Sequence, residues 1–416
     1  MTWRGFGAGI VGIVAIGCGG GGAEATSGEG SSGGAGSSSS GAPTRGSSES
    51  GELPGSSGAA TGSSGGATSS GEAPTTGEGS TGATTAGETG APVTDVPVFL
   101  AQGHYGRTTI SCDDGHTWVQ DKSQDDAVRC FENDLDCDHN EFAGRGIAWG
   151  AGQFVLAWGW GKPGTLARSE DAAEFVTVMT ETPTYADVAF GNGRFVANNS
   201  PTRISDDGGK TWVEGGPLDI NINTRAIEFV PHEAGVFIVA GESGDQRAIV
   251  RSADGVTWTP ASTRPPECGS YTLGMAYGAG TTVMVSGSGF VCRSPDGGDT
   301  WTQVPVSGGL SSPPVWTGSE FFVYEGNTLH RSADGAEWSN VPLVGDNLSI
   351  GQVARSPEGT FVAANGGWMV WYEKQRFYRS EDGVTWETLP EGAFVGSHPI
   401  YFMAYGRVQP GAGCAG

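Results

Sequence analysis

A short motif recurs six times in this chain of 416 residues. In its longest form it reads Ser-x-Asp-x-Gly-x-Thr-Trp. The copies begin at Ser111, Ser205, Ser252, Ser294, Ser332 and Ser380, and a weaker seventh copy runs from Ser169 to Phe175. The closing aromatic residues, at 118, 175, 212, 258, 301, 338 and 386, are 37 to 57 residues apart. A repeat of this length is typical of β-propeller blades or of a solenoid.

The residue types of the motif predict a tight turn that its own side chains stabilise. An Asp carboxylate can accept hydrogen bonds from backbone N–H groups two or three residues later, and Gly can adopt the positive φ that closes the turn. Ser adds a second local hydrogen bond, and Trp begins the next strand with a large apolar surface to bury. The Asp residues predicted to have this structural role are Asp113, Asp207, Asp254, Asp296, Asp334 and Asp382.

The motif resembles the Asp-box, or bacterial neuraminidase repeat, of sialidase-like β-propellers, and the resemblance covers residues 97–405. Short apolar or alternating runs around each motif, separated by glycine-rich turns, predict four antiparallel strands, named A to D from the inside outward. In the second repeat these runs are 146–150, 153–157, 165–168 and 175–178. We therefore predict an all-β fold, a seven-bladed propeller with four-stranded blades, over residues 95–416.

The two ends of the propeller region complement each other. The first repeat lacks an A strand, whereas residues 400–406 have the A-strand pattern and are followed by no further blade. We expect the C-terminal strand to complete the first blade and close the ring, which removes the open sheet edges.

Residues 1–94 have a different composition. Residues 1–17 contain one charge, on Arg4, and an apolar stretch too short to span a bilayer, which predicts an export signal. Residues 15–18 resemble a bacterial lipobox, with Ala15 where Leu is usual, so we expect Cys18 to be acylated; a plain secretory signal is the alternative. The Gly/Ser/Thr-rich remainder of residues 18–94 predicts a disordered linker, because it cannot bury enough apolar surface to fold.

These features predict a membrane-anchored lipoprotein, held to the lipid bilayer through an acyl chain at the outer membrane or the cell surface. The net charge of −24 and the absence of basic runs argue against a nucleic-acid partner, whose phosphates need clustered Lys and Arg. Acidity of this kind more often reflects solubility than a function, and we expect a monomer.

Six cysteines remain after Cys18, an even number that favours disulfides in an exported chain. By itself this number allows 15 connectivities. The resemblance to the family fold places two of them near the Asp-box face of the first blade and so implies that they pair, and two further pairs are expected to be local. The expected pairs are Cys112 with Cys414, Cys130 with Cys137, and Cys268 with Cys292.

Aromatic residues concentrate in the loops of blades 7, 1 and 2 on the face opposite the motif turns. They are Tyr105, Trp158, Trp160, Trp368, Trp371 and Tyr372. Aromatic rings beside carboxylates and amides suit a sugar, whose C–H face packs on Trp. The alternative is that these side chains pack between loops or blades. We predict a non-enzymatic recognition module that binds a glycan or a cell-surface protein through this sector.

One acidic loop has the carboxylate spacing of some calcium loops, at Asp134, Asp136 and Asp138. His139 stands where an EF-hand needs Gly, and Arg145 stands where it needs Glu, so a solvated acidic loop is the preferred interpretation and calcium the alternative. His104, His139 and His398 could approach one another, but zinc is not expected. We predict no cofactor.

The resemblance to sialidases also implies a catalytic set: three arginines, a tyrosine nucleophile with a glutamate, and an acid/base aspartate. The Arg-Ile-Pro motif of that family is absent, and Arg145 and Arg225 precede inner strands without a third arginine. Tyr185 and Tyr271 could face the centre, but spacing assigns no glutamate to either. We predict no catalytic residue. A sialidase-like glycoside hydrolase, an exo-sialidase or another glycosidase with two carboxylates, is the alternative.

Overall fold

The computed structural model describes residues 95–103, 108–119, 144–158, 164–181, 185–218, 223–243, 246–269, 271–287, 289–306, 308–365, 376–394, 400–411 and 413–414. The predictions for the export signal, Cys18 and the linker lie outside these residues, as do those for Cys130, Cys137 and the three aspartates of the acidic loop. In chain order the strands are β1 (Val96–Gly103), β2 (Thr108–Ser111), β3 (Gly144–Gly150), β4 (Gln153–Trp158), β5 (Gly164–Ser169), β6 (Val176–Glu181), β7 (Val188–Gly191), β8 (Arg194–Ala197), β9 (Arg203–Ser205), β10 (Val213–Glu214), β11 (Asn223–Val230), β12 (Val236–Ser243), β13 (Gln246–Ser252), β14 (Thr259–Pro260), β15 (Thr272–Gly278), β16 (Thr281–Ser286), β17 (Phe290–Ser294), β18 (Thr302–Val304), β19 (Val315–Trp316), β20 (Phe321–Glu325), β21 (Thr328–Ser332), β22 (Ser339–Pro342), β23 (Ile350–Arg355), β24 (Phe361–Asn365), β25 (Phe377–Ser380), β26 (Glu387–Thr388) and β27 (Ile400–Val408).

These strands form seven antiparallel sheets, which confirms the seven-bladed propeller. Blades 2 to 7 each contain four consecutive strands, β3–β6, β7–β10, β11–β14, β15–β18, β19–β22 and β23–β26. Blade 1 contains β2, β1 and β27 in that order, and a bridge between Ile110 and Val119 continues it outward. Because β27 pairs with β1 along its length, for example Phe99 with Tyr405, the C-terminal strand closes the ring as predicted.

The hydrophobic core lies between neighbouring blades. Val98 and Leu156 belong to the cluster between blades 1 and 2, and Phe99, Trp118 and Phe377 to the cluster between blades 7 and 1. The second strand of a blade is covered on both faces, so β4, β16 and β24 are buried at every residue. Strands covered on both faces have continuous apolar runs rather than alternation, which matches their sequences.

The motif turns have the hydrogen bonds that their residue types predict. In blade 3 the Asp207 Oδ1 accepts bonds from Ser205 Oγ at 2.9 Å and from the backbone N–H of Thr211 at 2.9 Å, and its Oδ2 accepts the Thr211 hydroxyl at 2.7 Å. The bonds from Thr211 lower the pKa of Asp207. Equivalent Ser-to-Asp bonds occur in the other copies, including the weak one at Asp171.

The glycine of each turn also touches the preceding blade. A Cβ atom at Gly335 of blade 6 would lie 2.6 Å from Val283 Cγ2 on the second strand of blade 5. At Gly255 the same atom would lie 2.7 Å from Val196 Cγ2 of blade 3. Both glycines have positive φ, of 75° and 72°. Glycine is therefore required twice over, by the turn and by the contact between blades.

Replacement of Gly335 by Ala should therefore cost more than replacement of a turn glycine with open space around it. Gly280 has a similar φ of 73°, and a methyl group added there would meet no atom within 4 Å, so Gly280→Ala is the matched control. We expect Gly280→Ala to lower the free energy of unfolding by about 1 kcal/mol and Gly335→Ala by about 2 to 4 kcal/mol, since overpacking adds to the backbone strain. Urea unfolding of the two variants measures the difference, and equal losses would contradict the contact.

Arginines of one blade bind the motif turn of the next, a feature that the sequence analysis missed. The Arg379 side chain of blade 7 donates from Nε to the Asp114 carbonyl of blade 1 at 2.8 Å and from Nη2 to the Asp114 carboxylate at 2.6 Å. Arg293 of blade 5 donates to the Asp334 carbonyl of blade 6 at 3.0 Å. The signal was present, because Arg directly precedes the motif serine in five copies, at 168, 251, 293, 331 and 379.

Two of the three expected disulfides lie within the described residues, and both are confirmed. Cys112 in the blade 1 turn is bonded to Cys414 after β27, over a sequence separation of 302 residues. Cys268 is bonded to Cys292, over a separation of 24 residues. The first bond reinforces the blade in which β27 pairs with β1.

The two disulfides should differ in their contribution to stability. In the chain-entropy model a cross-link that closes a loop of this larger size contributes about 6 kcal/mol, and the shorter loop about 3 kcal/mol. We expect a Cys112→Ser, Cys414→Ser double variant to lose more unfolding free energy than a Cys268→Ser, Cys292→Ser double variant. Urea unfolding without reductant tests this, and a reversed order would contradict it.

Candidate functional site

In each blade the motif turn connects strands C and D, and it lies at the end of the blade where strand A finishes. Strand A therefore begins at the opposite end of the central channel. A cavity of about 40 Å³ opens there, and we call it the axial mouth. Its polar lining side chains come from five blades: Arg145 of blade 2, Asp187 of blade 3, Tyr271 of blade 5, Gln352 of blade 7 and Tyr401 of blade 1. The cavity therefore exists only because the ring closes.

Asp187 joins three blades at the axial mouth. Its Oδ1 accepts the backbone N–H of Val188 at 2.8 Å, and its Oδ2 accepts that of Ile227 in blade 4 at 3.2 Å. A Cβ atom at Gly146 of blade 2 would lie 1.9 Å from Oδ1, so only glycine leaves room for the carboxyl group. Burial raises the pKa of Asp187 to about 7, although these two hydrogen bonds and the charge of Arg145 act in the opposite direction.

A second carboxyl group, that of Glu228, is near enough to Asp187 to be affected by its charge. Glu228 is on β11, the inner strand of blade 4, next to the residue whose N–H binds Asp187. Burial, together with the negative charge of Asp187, raises the pKa of Glu228 to about 8. Both groups therefore keep their protons to a higher pH than exposed carboxyl groups do.

This pair should make stability fall as the pH rises. The pKa values of Asp187 and Glu228 are raised from ordinary values of 3.8 and 4.5, so the folded protein holds protons that the unfolded chain releases. For such groups stability falls between the ordinary and the raised pKa, which places the fall between about pH 4 and about pH 8. We expect Glu228→Gln to flatten the fall in unfolding free energy across this range.

A surface substitution supplies the control. Glu387 is exposed on the outer strand of blade 7, and Glu387→Gln should leave the fall unchanged. The motif aspartates do not interfere, because their lowered pKa values affect stability only below the ordinary range of Asp. An identical pH profile for Glu228→Gln and the native protein would show that Glu228 does not bind a proton on folding.

Tyr271 reaches the axial mouth from the connection before β15. Its backbone N–H donates to Glu242 Oε2 of blade 4 at 2.9 Å, and its carbonyl accepts the N–H of Gly287 at 2.8 Å. Its φ is +41°, a value rarely adopted by a bulky residue. A glutamate thus lies beside this tyrosine, although sequence spacing assigned none.

The structure corrects one sequence prediction about an aromatic residue and shows where a second aromatic residue lies. Trp158 was predicted to contact a ligand, but it is 4% exposed and packs edge-on against Phe175 in the core between blades 1 and 2. It ends β4, which is buried at every residue, so Trp158 is a core residue. Tyr185 does not face the channel, because it is 0% exposed and its hydroxyl donates to Met179 Sδ at 2.9 Å.

The other predicted aromatic contacts lie outside the described residues. They are Tyr105, Trp160, Trp368, Trp371 and Tyr372. The three histidines considered for zinc lie outside as well, and so does the side chain of Arg225. Arg145 is brought into the axial mouth, where it lies with Asp187 and Gln352.

Metal-binding clusters and membrane-spanning helices are both absent from the part of the chain that the structure describes. There, no group of three or more His, Cys, Asp or Glu side chains could hold a metal ion. No helix among these residues is long and apolar enough to cross a membrane.

Sequence reasoning missed Asp187, Glu228, Glu242 and Gln352 as residues near the axis. Asp187 stands directly before the inner-strand run 188–191, and Arg145 stands directly before the equivalent run 146–150. Counted back from the glycines that close these runs, Gly191 and Gly150, the two residues stand one position apart, so the repeat pattern marks no common polar position. Their convergence depends on the closed ring.

No protein-family model matches the chain, and no curated protein matches it. Among solved structures, a protein from Lactobacillus plantarum is 12% identical with a TM-score of 0.51, covering 75% of this chain and 99% of that one. Streptogramin B lyase is 14% identical with a TM-score of 0.50, covering 65% and 89%. The periplasmic gluconolactonase PpgL of Pseudomonas aeruginosa is 10% identical with a TM-score of 0.48, covering 74% and 98%.

At these identities the likeness shows the fold alone. For the two structures with a TM-score of at least 0.50, it agrees with the seven-bladed β-propeller that the sheets form. One of these two structures is a lyase by name. The function of this chain has to be argued from its own residues.

Proposed function

We propose that this protein is an exported, non-enzymatic recognition module that binds a glycan or a cell-surface protein at the face where the axial mouth opens. The supporting observation is the mouth itself, where a guanidinium, a carboxyl, an amide and a phenol converge in one concavity. A few placed polar groups in a concave site are typical of ligand binding. By chain topology the B-to-C and D-to-A loops of blades 7, 1 and 2, with their predicted aromatic contacts, leave the blades at this same face. The protein is proposed to act as a monomer.

The hydrogen bonds of Asp187 favour binding over hydrolysis. A glycosidase carboxyl group has to reach the substrate as acid, base or nucleophile. Both oxygens of Asp187 accept backbone N–H groups, from Val188 and Ile227, which restricts their access to a substrate.

The alternative function is a sialidase-like glycoside hydrolase. One observation favours it, because a carboxyl group with a pKa of about 7, as in Asp187, could act as a general acid near neutral pH. This alternative predicts turnover that depends on Asp187. Non-enzymatic recognition predicts binding without turnover.

A glycan array followed by isothermal titration tests the binding face. We expect a Trp160→Ala, Trp368→Ala, Trp371→Ala triple variant to lose at least about tenfold in affinity, since each stacking contact contributes about 1 kcal/mol. Trp149 lies near the other end of β3 and is exposed, so Trp149→Ala is the control and should bind normally.

Fluorogenic glycosides, with a sialoside among them, test the alternative on the same preparations. We expect no turnover by the native protein. Turnover by the native protein that is lost in Asp187→Asn would show that the protein is a hydrolase and would contradict the proposed recognition function. Native binding affinity in the triple tryptophan variant would show that the loops of blades 7, 1 and 2 do not form the binding site.

We also propose that Cys18 carries the acyl anchor and that the Gly/Ser/Thr-rich linker separates the propeller from the membrane. Labelled palmitate should enter the native protein and not a Cys18→Ser variant, and cell fractionation should place the native protein in the outer membrane. A Cys18→Ser protein that remains membrane-bound at the native size would contradict the lipoprotein assignment.

A further inference from the structure

Tyr271 has an unusual backbone for an aromatic residue. Among the described non-glycine residues with positive φ, the others are Asp, Ala, Asn and Glu, and Tyr271 is the one aromatic. Its φ of +41° is sterically unfavourable for a residue with a bulky side chain. Such strain persists where the surrounding structure imposes it, and it concentrates at ligand clamps and active sites.

Two neighbouring blades impose this conformation. Glu242, on the second strand of blade 4, accepts the Tyr271 N–H, and Gly287, after the second strand of blade 5, donates to the Tyr271 carbonyl. The ring lies on Gly287, where a Cβ atom would be 2.3 Å from Tyr271 Cδ1. Three features therefore hold Tyr271 in this conformation: the carboxylate of Glu242, the N–H group of Gly287, and the space left by the missing side chain of Gly287.

The ring is not used to fill the core. Tyr271 is half-buried, lies in none of the hydrophobic clusters between the blades, and lines the axial mouth beside Arg145, Asp187 and Gln352. Tyr277, six residues along in the same blade, packs against the cluster between blades 4 and 5 instead. The strain at Tyr271 thus presents an aromatic ring at the channel opening rather than an additional core contact.

The size of the axial mouth indicates how a ligand would use this ring. A volume of about 40 Å³ holds a few water-sized groups, and therefore one substituent of a sugar rather than the whole ring. A sugar with one substituent in the cavity would have its ring against the lining residues, which include Tyr271. Arg145, Asp187 and Gln352 would then donate to and accept from the substituent and the nearby hydroxyls.

We infer that Tyr271 is the aromatic platform of the axial mouth and that the ligand it takes is a pyranose ring, whose C–H face packs on the phenol. This inference rests on the proposed recognition function and narrows its ligand from a glycan or a protein to a glycan. The hydroxyl of Tyr271 has no required part in it, because the contact is made by the face of the ring.

Three substitutions at Tyr271 separate a ligand platform from a structural residue. Native protein and variants are screened on an array of neutral and acidic pyranose oligosaccharides, the strongest binder is titrated calorimetrically, and thermal unfolding is recorded. Tyr271→Phe should keep affinity within about twofold, and Tyr271→Ala and Tyr271→Gly should each lose at least about fivefold. Tyr271→Gly should also raise the melting temperature above that of the native protein, because glycine adopts positive φ without strain.

Tyr277→Gly is the matched control within the same blade, and it should lower the melting temperature and leave affinity unchanged. A Tyr271→Gly protein that melts below the native protein would show that the ring is structural and would overturn the inference. Loss of binding by Tyr271→Phe would overturn it too, since the hydroxyl would then be the contact. If Tyr271→Ala kept native affinity while the triple tryptophan variant lost binding, Tyr271 would not be the platform, and the proposed recognition function would still be supported. Failure of the native protein to bind any pyranose on the array would overturn both the ligand class and glycan recognition.

Discussion

Contact between a motif glycine and the preceding blade organises the ring. At Gly335 and Gly255 a single added carbon would meet a valine of the neighbouring second strand at 2.6 or 2.7 Å. The same turn carries an Asp whose carboxylate holds the loop closed, and arginines such as Arg379 reach across to it from the blade before. Each turn therefore stabilises itself and positions its neighbour, and repetition of this contact sets the angle between blades around the ring.

Closure of the ring creates the candidate site. Arg145, Asp187, Tyr271, Gln352 and Tyr401 are far apart in the chain, yet each stands near the start of an inner strand, so all five meet at one end of the channel. Burial raises the pKa values of Asp187, which lines this site, and of its neighbour Glu228, so both carboxyl groups keep their protons to a higher pH than exposed ones do. A mouth lined by polar side chains suits hydroxylated ligands.

Much of the fold could be predicted because its determinants are local. The hydrogen bonds of the motif turns involve residues no more than four apart, so the role of Asp207 and its equivalents can be predicted from the local sequence. Ring closure was also predictable, since the A-strand pattern of β27 had no blade of its own. The site was less accessible to this reasoning. The prediction that Trp158 contacts a ligand was wrong. A tryptophan at the end of a buried strand has the same local sequence features as one in a loop, and Trp158 is buried because a neighbouring blade covers it.

The sequence alone was enough to predict the repeat, the strand order and the hydrogen bonds of the turns, which follow from residue types at fixed spacing. The disulfide between Cys112 and Cys414 was predicted from the family resemblance that the motif carries. Folding in three dimensions determines which polar groups share the channel and what state they are in. The raised pKa of Glu228 requires burial and the nearby charge of Asp187. The positive φ of Tyr271 requires Glu242 and Gly287 from two different blades. These properties cannot be read from the order of residues along the chain, because they depend on distances between residues that only the closed ring brings together.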